Sequence, residues 1–255
     1  MNIRQKVILV ASLVIIPASC CSAAAPVRYK VSVVKEYPHD RGAYTQGLFF
    51  SDGQLYESTG QYGKSSFRKV RLETGEALET VDFNRKYFVE GSVMLDGQLY
   101  ILTWTNKVAF IYDASRLKYT KSYSYPREGW GLTTDGKRLI ASDGSSRLYF
   151  LGTDYSLQGS VNVTLNGRSV KYLNELEWID GRIWANVYTT DTILIINPSD
   201  GNVEGVIDCA GLLPKNLHGP DTDVLNGIAV DADGRIYLTG KNWPRLYEVK
   251  LVEKK

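Results

Sequence analysis

The sequence predicts an all-β fold, because one short pattern occurs five times along the chain. In each copy an apolar strand-like segment reaches Asp-Gly, and a second strand-like segment follows. The copies occupy residues 48–58, 93–102, 132–142, 176–186 and 228–238. Asp-Gly between alternating strands favours a two-residue hairpin turn with positive φ at both central positions. The 17 Tyr and 5 Trp residues also suit strands, because half-buried pleated surfaces favour aromatic side chains.

The spacing of the hairpins indicates how the strands are arranged. The hairpin glycines lie 44, 39, 45 and 53 positions apart, at Gly53, Gly97, Gly136, Gly181 and Gly234. Two more strand-like segments follow each of the first four hairpins, and a four-stranded repeat of roughly 40–45 residues is typical of a β-propeller blade. We therefore expect a five-bladed β-propeller with four antiparallel strands per blade. The longest interval contains an insertion at residues 208–223, whose role the sequence leaves open.

The two ends of the chain are expected to close the ring. The fifth repeat ends one strand short after residues 245–251, and residues 29–36 form a strand-like segment without a hairpin partner. We predict that this N-terminal strand completes the last blade, since closure protects a sheet edge. A β-sandwich with coincidental Asp-Gly turns is the alternative.

Residues 1–25 are predicted to form an export segment, and residues 26–255 a single propeller domain. Arg4 and Lys6 precede the apolar residues 7–16, which are too few to span a bilayer as a mature helix. Residues 17–20 resemble a bacterial lipoprotein processing site with Cys20 as the lipidated residue. Cleavage near residues 23–25 is the alternative and would give a soluble periplasmic protein. Both alternatives place the protein in the bacterial periplasm or cell envelope.

Composition excludes several classes of partner and cofactor. The formal net charge is only +2, so nucleic-acid binding is not expected. Cys209 is the only cysteine beyond the export segment, so we expect no internal disulfide and a buried, unreactive thiol. His39 and His218 lie far apart in sequence, which argues against a zinc site. We expect a monomer without a metal or other cofactor.

Two sets of residues recur at equal phase in the repeats, so we expect them to meet at one mouth of the central channel. One set stands just before the first strands: Gln46, Glu90, Trp130, Asn174 and Asn226. The other lies seven residues beyond the hairpin glycines: Gly60, Trp104, Asp143, Tyr188 and Lys241. Each alone could be an ordinary turn, surface or packing residue. Together, a few convergent polar groups among aromatic rings are typical of a small-molecule pocket.

Six motifs in order resemble those of the plant and bacterial glutaminyl-peptide cyclotransferases. They are YTQGL at 44–48, EGWGL at 128–132, LNELE at 173–177, IWAN at 183–186, DVLNGIA at 223–229 and TGKNWP at 239–244. The resemblance covers roughly residues 29–251. It implies a five-bladed propeller that converts the N-terminal Gln of peptides or proteins to pyroglutamate, releasing ammonia without a catalytic metal.

The resemblance also implies roles for individual residues. Glu90 would be the acid/base carboxylate and Lys241 a second catalytic group. The substrate-binding residues would be Gln46, Trp104, Trp130, Asn174 and Tyr188. Plant members carry Trp at the position of Tyr188, and the sequence leaves open what this departure does to substrate preference. The residues leave open whether Asn174, Gln46 or Lys241 stabilises the developing oxyanion.

Two other functions are compatible with a propeller. Oxygen ligands from Glu90, Asn174, Asn226 and Asp143 could hold Ca²⁺ in a propeller lactonase or hydrolase. Lys241 in the same ring argues against a bound dication. The second alternative is a non-catalytic binding module, because a fold by itself does not fix function.

Overall fold

The computed structural model describes residues 25–254 as an all-β protein with a single short 3₁₀ helix in that range, at Lys215–Leu217. The predicted export segment, including Cys20, lies outside the described residues apart from its last position. No helix within residues 25–254 is long and apolar enough to cross a lipid bilayer.

The strands of the first half of the chain are β1 (Val27–Pro38), β2 (Thr45–Ser51), β3 (Gln54–Thr59), β4 (Ser66–Val70), β5 (Ala77–Asp82), β6 (Val89–Leu95), β7 (Gln98–Thr103), β8 (Val108–Asp113) and β9 (Lys118–Ser124). Those of the middle are β10 (Leu132–Thr134), β11 (Leu139–Ser142), β12 (Arg147–Leu151), β13 (Leu157–Asn162), β14 (Thr164–Leu165) and β15 (Arg168–Ser169). The last are β16 (Leu173–Ile179), β17 (Arg182–Val187), β18 (Thr192–Ile196), β19 (Val203–Asp208), β20 (Leu225–Val230), β21 (Ile236–Gly240) and β22 (Arg245–Glu253).

The strands form four-stranded antiparallel units in chain order. Strands β2–β5, β6–β9 and β10–β13 are separate sheets, and β14 and β15 form a small hairpin. The remaining strands form one eight-stranded sheet in the order β16-β17-β18-β19-β1-β22-β21-β20. Within it, β1 pairs antiparallel with β22, so the N-terminal strand is the fourth strand of the last repeat, as predicted.

The pairing of β1 with β19 was not predicted. Residues 27–30 of β1 lie parallel to residues 205–208 of β19, and this joins the last two units into one sheet. A strand added at the end of a unit presents a second edge with unpaired N–H and C=O groups. Here β19 pairs with that edge along the first four residues of β1.

The units are arranged in a cyclic order. The first strand of each unit contacts the next, β2 with β6, β6 with β10, β10 with β16 and β16 with β20, and β20 contacts β2 again. Hydrophobic clusters fill the space between successive units. In the cluster that joins the last unit to the first, Tyr237 and Ala229 pack with Leu48 and Val70. Burial of apolar surface between neighbouring units therefore stabilises their association, and the pairing of β1 with β19 adds to it for the last two units.

Three of the five Asp-Gly turns have the predicted conformation. Both central residues have positive φ at Asp52-Gly53, Asp96-Gly97 and Asp180-Gly181. The prediction is wrong for Asp135-Gly136 and Asp233-Gly234, where only the glycine has positive φ. These loops are longer because an aspartate at their start organises them. Asp135 Oδ1 accepts the N–H groups of residues 137 and 138, and Asp231 Oδ1 accepts those of residues 233 and 235.

Candidate active site

The site forms where the first strands begin, and β-bulges aim its side chains. Register shifts surround the second residue of four of these strands: Gln46 in β2, Glu90 in β6, Asn174 in β16 and Asn226 in β20. The expectation that these residues precede their strands is therefore wrong, and only Trp130 does so. A bulge bends a strand and redirects the side chain at the irregularity. A β-bulge at the second residue of the first strand thus recurs in four units.

Two glycines of the predicted motifs let neighbouring first strands approach closely. A Cβ on Gly91 would lie 2.4 Å from the backbone nitrogen of Leu132, and one on Gly131 would lie 2.0 Å from the carbonyl oxygen of Asn174. Real Cβ atoms do not come this close to backbone atoms, so any other residue would push the strands apart. These glycines therefore fix how near the site residues of successive units stand.

A cavity of about 170 Å³ lies at this end of the ring. Its lining contains all seven predicted catalytic and substrate-binding residues, so these residues of different repeats lie in one place. The lining is Tyr44, Gln46, Phe88, Glu90, Trp104, Trp130, Asn174, Tyr188 and Lys241. Tyr44 and Phe88 were not predicted.

The floor of the cavity is polar and buried. Glu90 is only 5% exposed, and its carboxyl accepts no hydrogen bond from residues 25–254. Burial raises its pKa well above the usual range, the positive charge of Lys241 opposes this, and the negative charge of Glu128 adds to it. A buried carboxyl group with a raised pKa and no protein partner is suited to exchange a proton with a bound molecule.

Lys241 stands beside two aromatic rings. Its Nζ atom is 4.7 Å from the centre of the Tyr44 ring and 4.9 Å from that of the Tyr188 ring. Burial holds the pKa of Lys241 below its usual value, and the negative charges of Glu90 and Asp223 offset only part of this lowering. The two ring faces attract the ammonium group and stabilise its charged form by cation–π interaction.

Aromatic side chains form the walls. Phe88 packs edge-on against Tyr44, with ring centres 6.2 Å apart, and against Trp104 at 5.5 Å. Trp130 makes the same kind of contact with Tyr188 at 5.6 Å. Glu128 joins the two halves, because its Oε2 atom accepts the indole N–H groups of Trp104 and Trp130. The rings thus form two groups, which the Glu128 carboxylate connects.

The carboxamides of Gln46 and Asn174 also line the cavity, and Asn226 lies behind Gln46. The Asn226 Nδ2 atom donates to the carbonyl of Thr45 at 2.9 Å and to Gln46 Oε1 at 3.3 Å. The Gln46 oxygen is therefore occupied, which leaves its NH₂ group as a donor for a ligand. Asn174 Oδ1 is buried and has no hydrogen-bond partner within residues 25–254.

Three residues of the two equal-phase sets do not line the cavity: Gly60, Asp143 and Asn226. Asp143 instead accepts hydrogen bonds from the Tyr149 hydroxyl and the Ser145 N–H. The four oxygen ligands of the calcium hypothesis are therefore not gathered in one cavity. No cluster of three or more His, Cys, Asp or Glu residues with metal-binding geometry occurs in the part of the chain that the structure describes.

Three residues of the site that were not predicted also stand at equal positions in the repeats. Tyr44, Phe88 and Glu128 stand two positions before Gln46, Glu90 and Trp130 respectively. They form a third set of residues at equal phase, so the repeat pattern contains the information that predicts them. Asp223, whose carboxylate accepts the Tyr44 hydroxyl at 2.9 Å, has no counterpart in the other repeats because it ends the insertion.

This site defines an all-β protein with a small pocket in which a buried carboxyl group and a buried amine lie among aromatic rings. The family model for glutamine cyclotransferase matches residues 7–251. Over 232 residues the chain is 45% identical to a glutaminyl-peptide cyclotransferase of Arabidopsis thaliana, covering 87% of this chain and 71% of that protein. The crystal structure of Myxococcus xanthus glutaminyl cyclase superimposes with a TM-score of 0.83 at 38% identity, covering 90% of this chain and 100% of the other. The chain belongs to the glutamine cyclotransferase family.

Proposed function

We propose that this protein is a glutaminyl-peptide cyclotransferase, which converts the N-terminal Gln of peptides or proteins to pyroglutamate and releases ammonia. The observation that carries the proposal is the Glu90 carboxyl group, which lines the cavity with Lys241, is buried and accepts no hydrogen bond from residues 25–254. Membership of the family and the relatives' names support the same activity.

The cavity suits an intramolecular reaction. The α-amino nitrogen and the side-chain amide carbon belong to the same residue, and the bond between them closes a five-membered ring. Walls formed by Trp104, Trp130 and Tyr188 would hold the side chain in the curled shape that brings these atoms together. Well-oriented intramolecular reactions reach effective molarities of about 10⁵ to 10⁸ M, so positioning can supply much of the rate.

Glu90 would move the proton. A free α-amine has a pKa of about 7.7 to 8.0, so much of it is neutral at mildly alkaline pH and able to attack. As the new C–N bond forms, the Glu90 carboxylate accepts a proton from the α-amino nitrogen. It returns that proton to the side-chain nitrogen as the old C–N bond breaks, and ammonia leaves. The raised pKa of Glu90 matches a group that must both take and give a proton.

The charge that develops on the amide oxygen needs donors. Three groups on the cavity floor can supply them: the Lys241 ammonium, the Gln46 NH₂ group and the Asn174 amide. Preorganised donors in a site that excludes water stabilise such an oxyanion strongly. Lys241 is the strongest of the three, since it carries a full positive charge next to two aromatic rings.

The four-stranded units are, we propose, the blades of a five-bladed propeller whose ring is closed by β1. The cyclic contacts of the first strands and the clusters between successive units support this arrangement. We also propose that residues 1–25 are an export segment in front of a single domain. Replacing Cys20 by Ser tests the lipid anchor, because partition with membranes should then be lost.

The activity is tested with two peptides that differ only in an N-terminal Gln or Asn, with mass spectrometry to detect the loss of one ammonia. The protein should cyclise the Gln peptide far faster than a sample without protein, and should leave the Asn peptide unchanged. The rate should survive EDTA, since no step is assigned to a metal. Absence of catalysed ammonia loss would reject the function, and a Ca²⁺-dependent hydrolysis would favour the lactonase alternative.

A further inference from the structure

The Glu128 carboxylate holds both tryptophans of the pocket through one oxygen atom. The Trp104 Nε1–H group donates to Glu128 Oε2 at 2.8 Å, and the Trp130 Nε1–H group donates to the same atom at 3.1 Å. Trp104 follows β7 and Trp130 precedes β10, so the two walls belong to different sheets. No step of the proposed reaction uses Glu128.

The residues around Glu128 fix its position. The Gly129 N–H group donates to the carbonyl of Thr103 at 3.0 Å, and the Gly131 N–H group donates to Ser142 Oγ at 2.7 Å. A Cβ on Gly129 would lie 2.5 Å from the Leu102 Cβ atom, so this segment packs directly on the second sheet. Glu128 is therefore placed by rigid neighbours before any ligand binds.

The charge of Glu128 has no cationic partner. Within residues 25–254 no Lys, Arg or His forms an ion pair with it. Two indole N–H groups are neutral donors and leave its negative charge in place. The charged or titratable groups that act on or respond to Glu90 are Lys241, Glu128, Tyr44 and Tyr188. Of these, Glu128 is the carboxylate that opposes ionisation of Glu90.

We propose that Glu128 is a positioning residue of this active site, which fixes the two indole walls through one oxygen and whose negative charge acts on Glu90. This role rests on the proposed function, in which Glu90 moves the proton. The hydrogen bonds would hold the two indole walls in place, and the charge would add to the effect of burial in raising the pH at which Glu90 ionises. Burial together with the Glu128 charge raises the pKa of Glu90, whereas Lys241 lowers it.

Two substitutions separate these effects. Glu128→Gln removes the charge but keeps a carbonyl oxygen that can accept an indole N–H group. Glu128→Ala removes both. Glu73→Gln is the matched control, because Glu73 is exposed in the turn between β4 and β5. Each variant is made in the full chain, and far-UV circular dichroism with thermal unfolding checks that it is folded.

The first readout is a ¹³C NMR titration of glutamate carboxyl carbons, in which the Glu90 signal is assigned by its absence in Glu90→Gln. We expect Glu128→Gln to lower the Glu90 midpoint by about 0.5 to 1 pH unit, as removal of a nearby like charge requires. Glu73→Gln should leave the midpoint unchanged. An unchanged midpoint in Glu128→Gln would overturn the electrostatic role.

The second readout is KM for a Gln-initiated peptide. Glu128→Ala should raise KM about tenfold or more, because the indoles lose hydrogen bonds to a charged group, whereas Glu128→Gln should raise it less than about threefold. Equal KM values in Glu128→Ala and the unsubstituted protein would overturn the role of Glu128 in holding the two indoles. The NMR titration needs no turnover, so a protein without cyclase activity would reject the proposed function while the effect of Glu128 on Glu90 is still measured.

Discussion

The Lys241 Nζ atom lies 4.7 Å from the centre of the Tyr44 ring, and this contact links the active site to the insertion at residues 208–223. The Tyr44 hydroxyl donates to Asp223 Oδ2, and the Asp223 N–H group donates to the carbonyl of Lys241. Leu212 and Leu213 anchor the insertion in the hydrophobic cluster of the last two units. The insertion therefore supports one wall of the site.

The Tyr44 ring, rather than its hydroxyl, should matter most for activity. Tyr44→Phe keeps the ring face toward Lys241 and loses only the bond to the exposed Asp223 carboxylate. Tyr44→Leu removes the ring face. Because a cation–π contact is worth about 0.5 to 2 kcal/mol, we expect Tyr44→Leu to lower kcat/KM by about 3- to 30-fold, and Tyr44→Phe by less than about threefold. Steady-state kinetics with a Gln peptide measures both, and equal losses would contradict this account of Lys241.

His39 should stabilise the fold only as an imidazolium ion. Its Nδ1 atom is 2.7 Å from the carbonyl oxygen of Trp243 and its Nε2 atom is 3.0 Å from Glu57 Oε1. Both partners are acceptors, so both ring nitrogens carry protons. Burial alone would lower the pKa of His39, but the Glu57 charge and the hydrogen bonds raise it above 6.5.

The sign of the pH dependence follows from this raised pKa. The stabilisation is complete below about pH 6.5, where the unfolded chain also binds the proton, and is lost as pH rises through the higher folded pKa. We expect His39→Ala to lower the free energy of unfolding at pH 6 by about 3 kcal/mol. The loss should shrink at pH 9, as measured by urea unfolding. His218→Ala is the control because that histidine is exposed, and a pH-independent effect of His39→Ala would contradict the ion pair.

Much of this fold could be predicted from the sequence because the hairpin pattern repeats. Four strands per unit and the closing strand follow from Asp-Gly turns at regular spacing, and equal phase brought Glu90, Trp104 and Lys241 to one cavity. The parallel pairing of β1 with β19 could not be predicted, because it depends on which strand edges meet in the folded protein. The longer loops at Asp135 and Asp231 were missed because side-chain hydrogen bonds outweigh the Asp-Gly preference there.

The site itself was predicted less completely than the fold. Tyr44 and Phe88 were missed although they share a phase, because aromatic residues near strand starts resemble ordinary packing residues. The role of Glu128 depends on its reach to two indoles in different units, which no spacing along the chain specifies. The bulges that aim Gln46 and Glu90 likewise depend on strand pairing, which is a property of the folded structure.

Strand β1 should be essential for the folded domain. Removal of residues 29–36 should abolish cooperative unfolding, because β22 would lose one of its two partner strands and expose an edge. A finer comparison uses two proline substitutions. Val31 pairs with Leu251, so Val31→Pro should cost about 1 to 3 kcal/mol through the disrupted strand pairing. Val34 lies at a bulge, where proline is tolerated better, so Val34→Pro should cost less. Thermal unfolding followed by circular dichroism tests this order, and a folded truncation would contradict closure by β1.

Gly131 should tolerate no side chain. Its Cβ would meet the carbonyl oxygen of Asn174, and that backbone cannot move without displacing a cavity residue. We expect Gly131→Ala to destabilise the protein by about 1 to 3 kcal/mol or more and to lower kcat/KM at least about tenfold. Gly53→Ala is the control, because nothing lies within 4 Å of its Cβ and only its positive φ is unfavourable. It should cost about 1 kcal/mol and leave activity unchanged. Equal activity in the two variants would show that the close approach is not required.

The most direct test of the central claim is kcat of Glu90→Gln, which removes the proton-carrying charge and keeps the shape of the side chain. If Glu90 moves the proton, kcat should fall by about 10² to 10⁴ with little change in the free energy of unfolding. Lys241→Met is the comparison, since losing an oxyanion donor should lower kcat by about 10² to 10³ but preserve the acid limb of the pH profile that Glu90 produces. A Glu90→Gln enzyme with near-normal kcat, or with only a raised KM, would contradict the assignment of Glu90 as the group that transfers the proton.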